Sequence, residues 1–565
     1  MAGDRLEGVT ARGAISSAPT SPLLAQSQSI SEESVWHIYA RVLNCAKTEN
    51  RMRDQAAADE SILAHNTPAT ELHVLVDPDS HYFVIIGNKM NADRSPGRDT
   101  NRRYKSHTLE FTPLQILEVD IDKPLPAVRA HEVATGQSPR RALALVRLHT
   151  RPIGVVELQY ENDVLGAEGL ADQIWQALRT EITAHLRRDG LLEPSALEAS
   201  GMQHDGTPTC VQERNMVLTN APFVSVGVAT RDRPTSLAIC LRSLLSLEYP
   251  NFEIIVVDNA PSTDATADFI GETYGDMPQI RYVREDRPGL ARAHNRGLRE
   301  GRGEIVAFTD DDVVVDKYWL AELVKGFTVT KDVACVTGMI FPMELQTQAQ
   351  AWIEQYGGFS KGYDRRVFNL AENRPHNRLF PYAAGAFGSG ANMAFQASAL
   401  RAIGGFDPAL GAGSPGSGGD DLAAFFQIIM AGQTLVYEPG AIVHHLHRRD
   451  YAGLRKQMFG YGVGLTAYLT KCLVDKPALL LDVAARIPEG LKYAFSPRSP
   501  KNIRKLYDYP RELTRLERMG MLYGPLAYLR GRCQTRDRPK TLGSLSSLSP
   551  SSIPLMSLAE DRIES

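Results

Sequence analysis

Glu304-Ile305-Val306-Ala307-Phe308-Thr309-Asp310-Asp311-Asp312-Val313-Val314-Val315-Asp316 starts as an apolar run and meets three consecutive carboxylates. The run is rich in β-branched residues and holds no Gly or Pro, so it reads as a buried strand. Its acids fall at the carboxyl end, the edge at which open α/β sheets bind ligands. Three adjacent Asp residues repel one another, so a fold keeps them together where a cation sits among them or water solvates them fully. Mg2+ or Mn2+, hard ions that take carboxylates together with substrate phosphates, suits the first case. An acidic surface turn is the second, and the motif alone does not choose.

The residues before this stretch repeat one pattern. Residues 223–229 (Phe-Val-Ser-Val-Gly-Val-Ala) read as a buried strand, followed by Thr230-Arg231-Asp232-Arg233-Pro234 and a helical face of Leu237, Leu241, Leu244 and Leu245. Pro234 suits the helix start and Pro250 lies beyond its end. Residues 252–257 form a second strand that runs into Asp258-Asn259, residues 280–283 a third, and residues 290–300 a helix. Strand alternating with helix predicts parallel βαβ units, so Asp258 is expected on the same sheet edge as Asp310 and Asp312.

These motifs resemble the inverting family 2 glycosyltransferases. Ile254-Ile255-Val256-Val257-Asp258-Asn259-Ala260-Pro261-Ser262-Thr263-Asp264 is similar to the family's V-V-D-D-G-S-T-D segment, departing at Asn259 and Ala260-Pro261. Arg292-Ala293-His294-Asn295-Arg296-Gly297 resembles its A-R-N-x-G segment, with His294 where Arg is usual. Phe387 to Phe395 is similar to a G-x-N-x-x-F acceptor-side segment, and Gly404-Gly405-Phe406-Asp407 is a further family-like feature. The resemblance covers residues 221–468 and implies an α/β fold of the nucleotide-sugar-binding GT-A class with a mostly parallel central sheet.

It also implies roles. Asp310 would serve ribose or metal and Asp312 the metal, with Asp311 a solvated middle residue counted in the nucleotide-sugar set. Thr230, Arg231, Arg233 and Asp258 would line the nucleotide pocket, and Arg287 would stand near the phosphates. Asp420-Asp421 stands where the family has an E-D pair, which makes Asp421 the general base and puts Asp420, Gly390 and Asn392 on the acceptor side. An acid pair at a helix start also complements the helix dipole without any catalysis. His445 takes the position of a metal-ligand His, with His444 and His447 as neighbours that can be mistaken for it. The implied reaction moves a sugar from a nucleoside-diphosphate sugar to an acceptor hydroxyl on a glycan or lipid-linked glycan, assisted by Mg2+ or Mn2+.

Two other functions fit parts of the same residues. Asp310-Asp311-Asp312-Val313-Val314 matches the D-x-D-x-[TV] motif of haloacid-dehalogenase-type phosphatases, with Gly419-Asp420-Asp421 as the later acids and Thr337 as an intermediate Thr. Those enzymes place the motif on an early strand and leave Asp258-Asn259 unused. A non-catalytic sugar-binding scaffold is the third reading. The literal G-x-G-x-x-G at Gly411-Ala412-Gly413-Ser414-Pro415-Gly416 follows no strand and contains Pro415, so it is not a dinucleotide fingerprint. Its glycines are expected to give mobility over the site.

Around this core, residues 1–30 and 541–565 are expected to be disordered tails and 31–190 a small α+β domain of structural or regulatory role. Within that domain residues 72–76, 82–86, 142–146 and 154–158 read as strands, the last two joined by a turn at 150–153. Leu170, Ile174, Trp175, Leu178, Ile182 and Leu186 mark one face of a helix that Gly190 can cap. Residues 191–221 read as a linker, 222–450 as the catalytic domain and 451–540 as a helical region. Gly460-Tyr461-Gly462-Val463-Gly464 and the apolar run 478–481 there suit either a membrane surface or packing against the catalytic domain. A net charge of −4 gives no reason to expect nucleic acid. The six cysteines lie far apart with no C-x-x-C pair, which argues against a zinc or disulfide scaffold and fits a reducing cytosol. No secretory signal and no run of about 18 apolar residues is read, so a cytoplasmic protein, at most peripheral at the inner face of the membrane, is expected.

Overall fold

The computed structural model describes residues 111–131, 138–357, 359–506 and 508–536. The expected tails and the expected strands at 72–76 and 82–86 lie outside these residues. The N-terminal part contains β1 (Leu114–Asp120), β2 (Val128–Arg129), β3 (Arg141–Leu148), β4 (Arg151–Gln159), β5 (Val164–Leu165) and helix α1 (Ala167–Arg188). β3 is central, parallel to β1 and antiparallel to β4. The turn between β3 and β4 is His149-Thr150, both left-handed at φ 55° and 68°. The expected turn at 150–153 therefore shifts. Two residues with positive φ match the twist of a hairpin, and β4 is an edge strand that tolerates Pro152. Leu170, Ile174, Leu178, Ile182 and Leu186 of α1 are buried on this sheet as their spacing predicts.

The expected linker instead contains α2 (Thr209–Thr219), anchored by buried Cys210, Arg214 and Val217. Composition missed it because those three contacts, not a continuous apolar face, hold the helix.

The large sheet follows. β6 (Val224–Thr230), α3 (Pro234–Leu245), β7 (Phe252–Asn259), α4 (Ala265–Tyr274), β8 (Ile280–Glu285), α5 (Leu290–Glu300) and β9 (Ile305–Asp310) make the expected βαβ units. Their order β8-β7-β6-β9 is parallel throughout. The chain starts in the middle at β6, builds outward to β8 and returns on the other side at β9. A ligand crevice opens at such a reversal, outside the carboxyl ends.

β10 (Val313–Val315), α6 (Trp319–Gly326), β11 (Val333–Pro342), α7 (Gln348–Tyr356), β12 (Arg366–Phe368), β13 (Asn392–Gln396), α8 (Ala397–Ala402), α9 (Asp420–Met430) and β14 (Thr434–His445) complete the α/β layer. Here the sheet is mixed: β13 runs antiparallel to β9 and β11, and β11 parallel to β14. Parallel pairing thus covers the half that carries the acids, and the other half departs from it.

Three helices end the described chain: α10 (Tyr451–Asp475), α11 (Leu480–Phe495) and α12 (Arg511–Arg536). α10 buries Leu454, Met458, Val463, Ala467 and Tyr468. A Cβ at Gly462 would stand 1.9 Å from the Glu517 carbonyl oxygen, and one at Gly520 would stand 2.2 Å from that of Phe459. The glycine-rich stretch therefore serves close helix crossing, which is the packing alternative. No helix among the described residues is long and apolar enough to cross a membrane.

Candidate active site

β9 is apolar and buried until it reaches Asp310, and the register sets the strand ends level: Ala229 pairs with Asp310 and Thr230 with Asp258. Asp311 is buried, not solvated as expected. Its carboxylate accepts from Thr230 Oγ1 at 2.7 Å and Arg233 Nη1 at 2.6 Å, while Arg233 Nη2 donates to Asp312 Oδ2 at 2.9 Å. One guanidinium fork thus holds two adjacent carboxylates. Thr230 and Arg233, expected to line the nucleotide pocket, are engaged in holding the acids. Burial raises Asp311 to about 6 in spite of Arg233 and Thr230. Burial also opposes ionisation of Asp312, but His445 and Arg233 outweigh it and hold that carboxyl below its ordinary value. Asp310 has no such clamp: burial, then the charges of Asp312, Asp311, Asp420 and Asp421, push it well up.

His445 Nε2 lies 3.3 Å from Asp312 Oδ1 and 3.9 Å from Asp310 Oδ2. Side chains alternate along β14, so His444 faces the other way, onto Glu118 at 2.6 Å, and His447 meets Glu354 at 2.7 Å. Burial lowers His445 to about 4, leaving the neutral imidazole that a metal takes as a ligand. One donor atom from each of Asp310, Asp312 and His445 lies within 4.8 Å of the others. Three converging donors and a surplus of negative charge would fit a divalent cation.

Near Asp310, the acids Asp420 and Asp421 open α9 behind left-handed Gly419. Asp421 is half-buried and accepts from the backbone N–H of Gly390 at 2.9 Å and Leu422 at 2.8 Å. Burial and then the Asp420 charge raise it to about 6 against those two bonds. Asp420 turns inward, 4% exposed, with Oδ2 3.3 Å from His294 Nδ1. His294 in turn lies between the rings of Phe308 and Phe406, 4.9 Å from each. Asp420, expected on the acceptor side, thus turns its carboxylate toward His294. Asn392, expected there too, donates its amide to the carbonyls of Met339 and Ala441 and accepts from Trp319 Nε1. Its side chain is fully buried because it joins β11, β14 and α6.

Asp258 is buried, with Oδ2 bonded to Tyr282 and Oδ1 without a partner among the described residues. Arg231 is half exposed beside Asp232, and Arg287 pairs with Glu285, so neither reaches the acids. Thr337 is spent on a hydrogen bond to the Phe387 carbonyl inside the core, which removes the intermediate Thr of the phosphatase reading. The sequence reading did not find Arg448, whose charge acts on Asp311, Asp312 and His445. It also missed Lys361, lowered to about 8 by burial, and Tyr461 of α10, which feels Asp421 and Asp310. No motif marks Arg448 or Lys361, and Tyr461 is read only as part of the glycine-rich stretch 460–464. His294 stood out only as a departure from the A-R-N pattern.

The family model for glycosyl transferase family 2 matches residues 225–403. That span runs from β6 to α8, and His445 and the acid pair lie beyond it. The succinoglycan biosynthesis protein ExoM of Rhizobium meliloti is 30% identical over 249 residues, 42% of this chain and 72% of that protein. The pre-mycofactocin glycosyltransferase of Mycobacterium tuberculosis is 27% identical over 261 residues, 46% of this chain and 50% of its own length, so the chain spans half of that relative. Among solved structures, the mannosyltransferase PcManGT from Pyrobaculum calidifontis in complex with GDP-Man and Mn2+ is 20% identical with a TM-score of 0.33, over 59% of this chain and 85% of that one. The likeness to ExoM extends over most of that protein, and the matched span carries the parallel strands and all three acids of the opening stretch. The chain belongs to glycosyl transferase family 2.

Proposed function

We propose that the chain is an inverting glycosyltransferase that moves a sugar from a nucleoside-diphosphate sugar to an acceptor hydroxyl on a glycan or lipid-linked glycan. The observation that carries this reading is the convergence of Asp310, Asp312 and His445, with Asp421 near enough for its charge to act on Asp310. Mg2+ or Mn2+ held by the first three would offset the charge that gathers on the leaving diphosphate. Arg233 keeps Asp311 and Asp312 in place for that task. Asp258 offers its unpartnered oxygen to an N–H or hydroxyl of the nucleoside. Asp421, raised to about 6, is an acceptor of the proton that the attacking hydroxyl sheds, since a base works best when its pKa is near the operating pH. Gly390 N–H and Leu422 N–H orient that carboxylate.

Incubation with Mn2+ and a panel of nucleotide sugars, then with a phosphomonoester, tests the reading. Slow hydrolysis of one nucleotide sugar is expected. Phosphate release from the monoester would favour the phosphatase, and neither reaction the scaffold.

Peripheral contact with a membrane is part of the same reading. Met519, Tyr523 and Leu526 stand 58%, 37% and 37% exposed at helical spacing on α12, and Leu481 of α11 is 82% exposed. Flotation with anionic vesicles is expected to carry the chain, and Met519→Glu with Leu526→Glu to leave it at the bottom of the gradient. If the parent chain also stays there, membrane contact is wrong.

A further inference from the structure

A second cluster of ligand-type side chains lies in the N-terminal part, outside the family-matched residues. His149 comes from the left-handed β3–β4 turn, His185 from the last turn of α1, Asp189 from its C-cap and Cys210 from the first turn of α2. All four are buried, at 3%, 3%, 9% and 6% exposure. One donor atom from each lies within 4.8 Å of the others. We propose that His149, His185, Asp189 and Cys210 form a closed structural Zn2+ site.

Distances support a shared centre. His149 Nδ1 is 3.2 Å from His185 Nε2 and 3.0 Å from Asp189 Oδ2, and His185 Nε2 is 3.3 Å from that same oxygen. Ligands about 2.05 Å from a tetrahedral centre stand about 3.3 Å apart, so these contacts have the length of a zinc tetrahedron's edges. Cys210 Sγ approaches Asp189 Oδ2 at 2.9 Å.

Protons satisfy the cluster poorly. For both neutral imidazoles to donate to Asp189 Oδ2, His149 must carry its proton on Nδ1 and His185 on Nε2. Those two N–H groups then face each other across 3.2 Å. A cation at the centre removes the conflict. His149 Nε2 is then free to donate to His204 Nε2 at 2.8 Å, the outer partner that a metal-bound imidazole ordinarily has. The charges also balance. Two neutral imidazoles, one carboxylate and one thiolate sum to −2, and the Cys210 proton leaves to solvent as the metal binds. One thiolate with two imidazoles selects zinc over Mg2+ or Mn2+. Four protein ligands leave no open position, which makes the site structural and not catalytic.

The site ties the hairpin, α1 and α2 together. α2 in turn reaches the large sheet domain: Arg214 pairs with Glu322 of α6 at 3.6 Å and its guanidinium stacks 3.9 Å from the Tyr318 ring. The wide cysteine spacing that argued against zinc does not apply to a set with one Cys, whose other ligands are two His and an Asp.

The test uses the full chain grown with added zinc, dialysed into metal-stripped buffer and measured by mass spectrometry of the elements. About one zinc per chain is expected. Chain stripped with a strong chelator and titrated with Co2+ is expected to show the thiolate-to-cobalt charge-transfer band. Cys210→Ser and His149→Gln should lose both zinc and band, and Asp312→Ala should keep both. Zinc retained by both cluster variants overturns the site. So does a wild-type chain with neither zinc nor the cobalt band, and that measurement needs no variant to fold.

Discussion

The two acid groups whose charges meet at Asp310 are held in opposite ways. In Asp310-Asp311-Asp312 the protein supplies its own cation, and Arg233 bonds two of the three carboxylates. In Asp420-Asp421 no cation among the described residues bonds the outer acid, which is oriented by two backbone N–H groups, while the inner acid faces His294. Adjacent carboxylates thus take different roles according to what compensates them. Asp311 and the Arg233-bound oxygen of Asp312 are fixed as framework. On the proposed reading, Asp310, Asp421 and the Asp312 oxygen facing His445 would serve ligand, proton and metal. Environments that push carboxyl groups apart in acidity are how one site separates such roles.

The largest test of this contrast is Asp421→Asn. The amide keeps size and hydrogen bonding but cannot take a proton. Transfer is expected to fall at least about a hundredfold with donor affinity nearly unchanged. Full transfer by this variant would return Asp421 to the helix-dipole role.

Asp312→Ala is the matching test on the other acid group. It removes one of three metal-type donors and half of the Arg233 clamp. Nucleotide-sugar affinity in Mn2+, read by calorimetry, is expected to fall at least about tenfold. The fold should persist, because losing one charge relieves repulsion on Asp310. Chelation should reproduce the loss in the parent chain. Binding and turnover that ignore metal would remove the reason for the converging acids.

A smaller effect comes from pH. Asp421 must be ionised to act, so kcat/KM is expected to fall about tenfold per pH unit below an apparent pKa of about 6. Unfolding does not mimic this. A carboxyl raised from 3.8 to about 6 favours the folded state on the acid side, and that contribution is lost only as pH rises through about 6. A thermal-shift profile that tracked the activity limb would contradict the assignment.

What could be read beforehand follows from what is contiguous. The strands ending in Asp258 and Asp310 were legible because a buried parallel strand is a short unbroken apolar run and its end is its ligand edge. His445 was legible only through the family pattern, since His444 and His447 are the same residue type beside it. The inward turn of Asn392 and Asp420 was not legible, because sequence does not say which way a side chain turns. Asn392 meets three chain segments 49 to 73 residues away. The His149, His185, Asp189 and Cys210 cluster was invisible for the same reason: its ligands come from a turn, a helix end and the start of another helix, and only His185 and Asp189 share helical spacing.

The finest test concerns Asp420. If the inner acid is framework, its environment and not the acceptor should respond when it changes. Asp420 Oδ2 and His294 Nδ1 approach to 3.3 Å, and both are buried with no hydrogen-bond partner among the described residues. His294→Phe keeps an aromatic ring between Phe308 and Phe406 but leaves the carboxylate unpaired, which is expected to cost about 1–3 kcal/mol in urea unfolding. Asp420→Asn removes the charge and keeps the shape, so it should cost less. In the double variant the two effects should fail to add by at least about 0.5 kcal/mol, as they do for groups in contact. Transfer by Asp420→Asn should stay within about tenfold of the parent, well short of the loss from Asp421→Asn. Strict additivity in stability, together with transfer abolished by Asp420→Asn, would reverse the two acids: Asp420 would be the group that meets the acceptor, and its inward turn toward His294 would not be its working position.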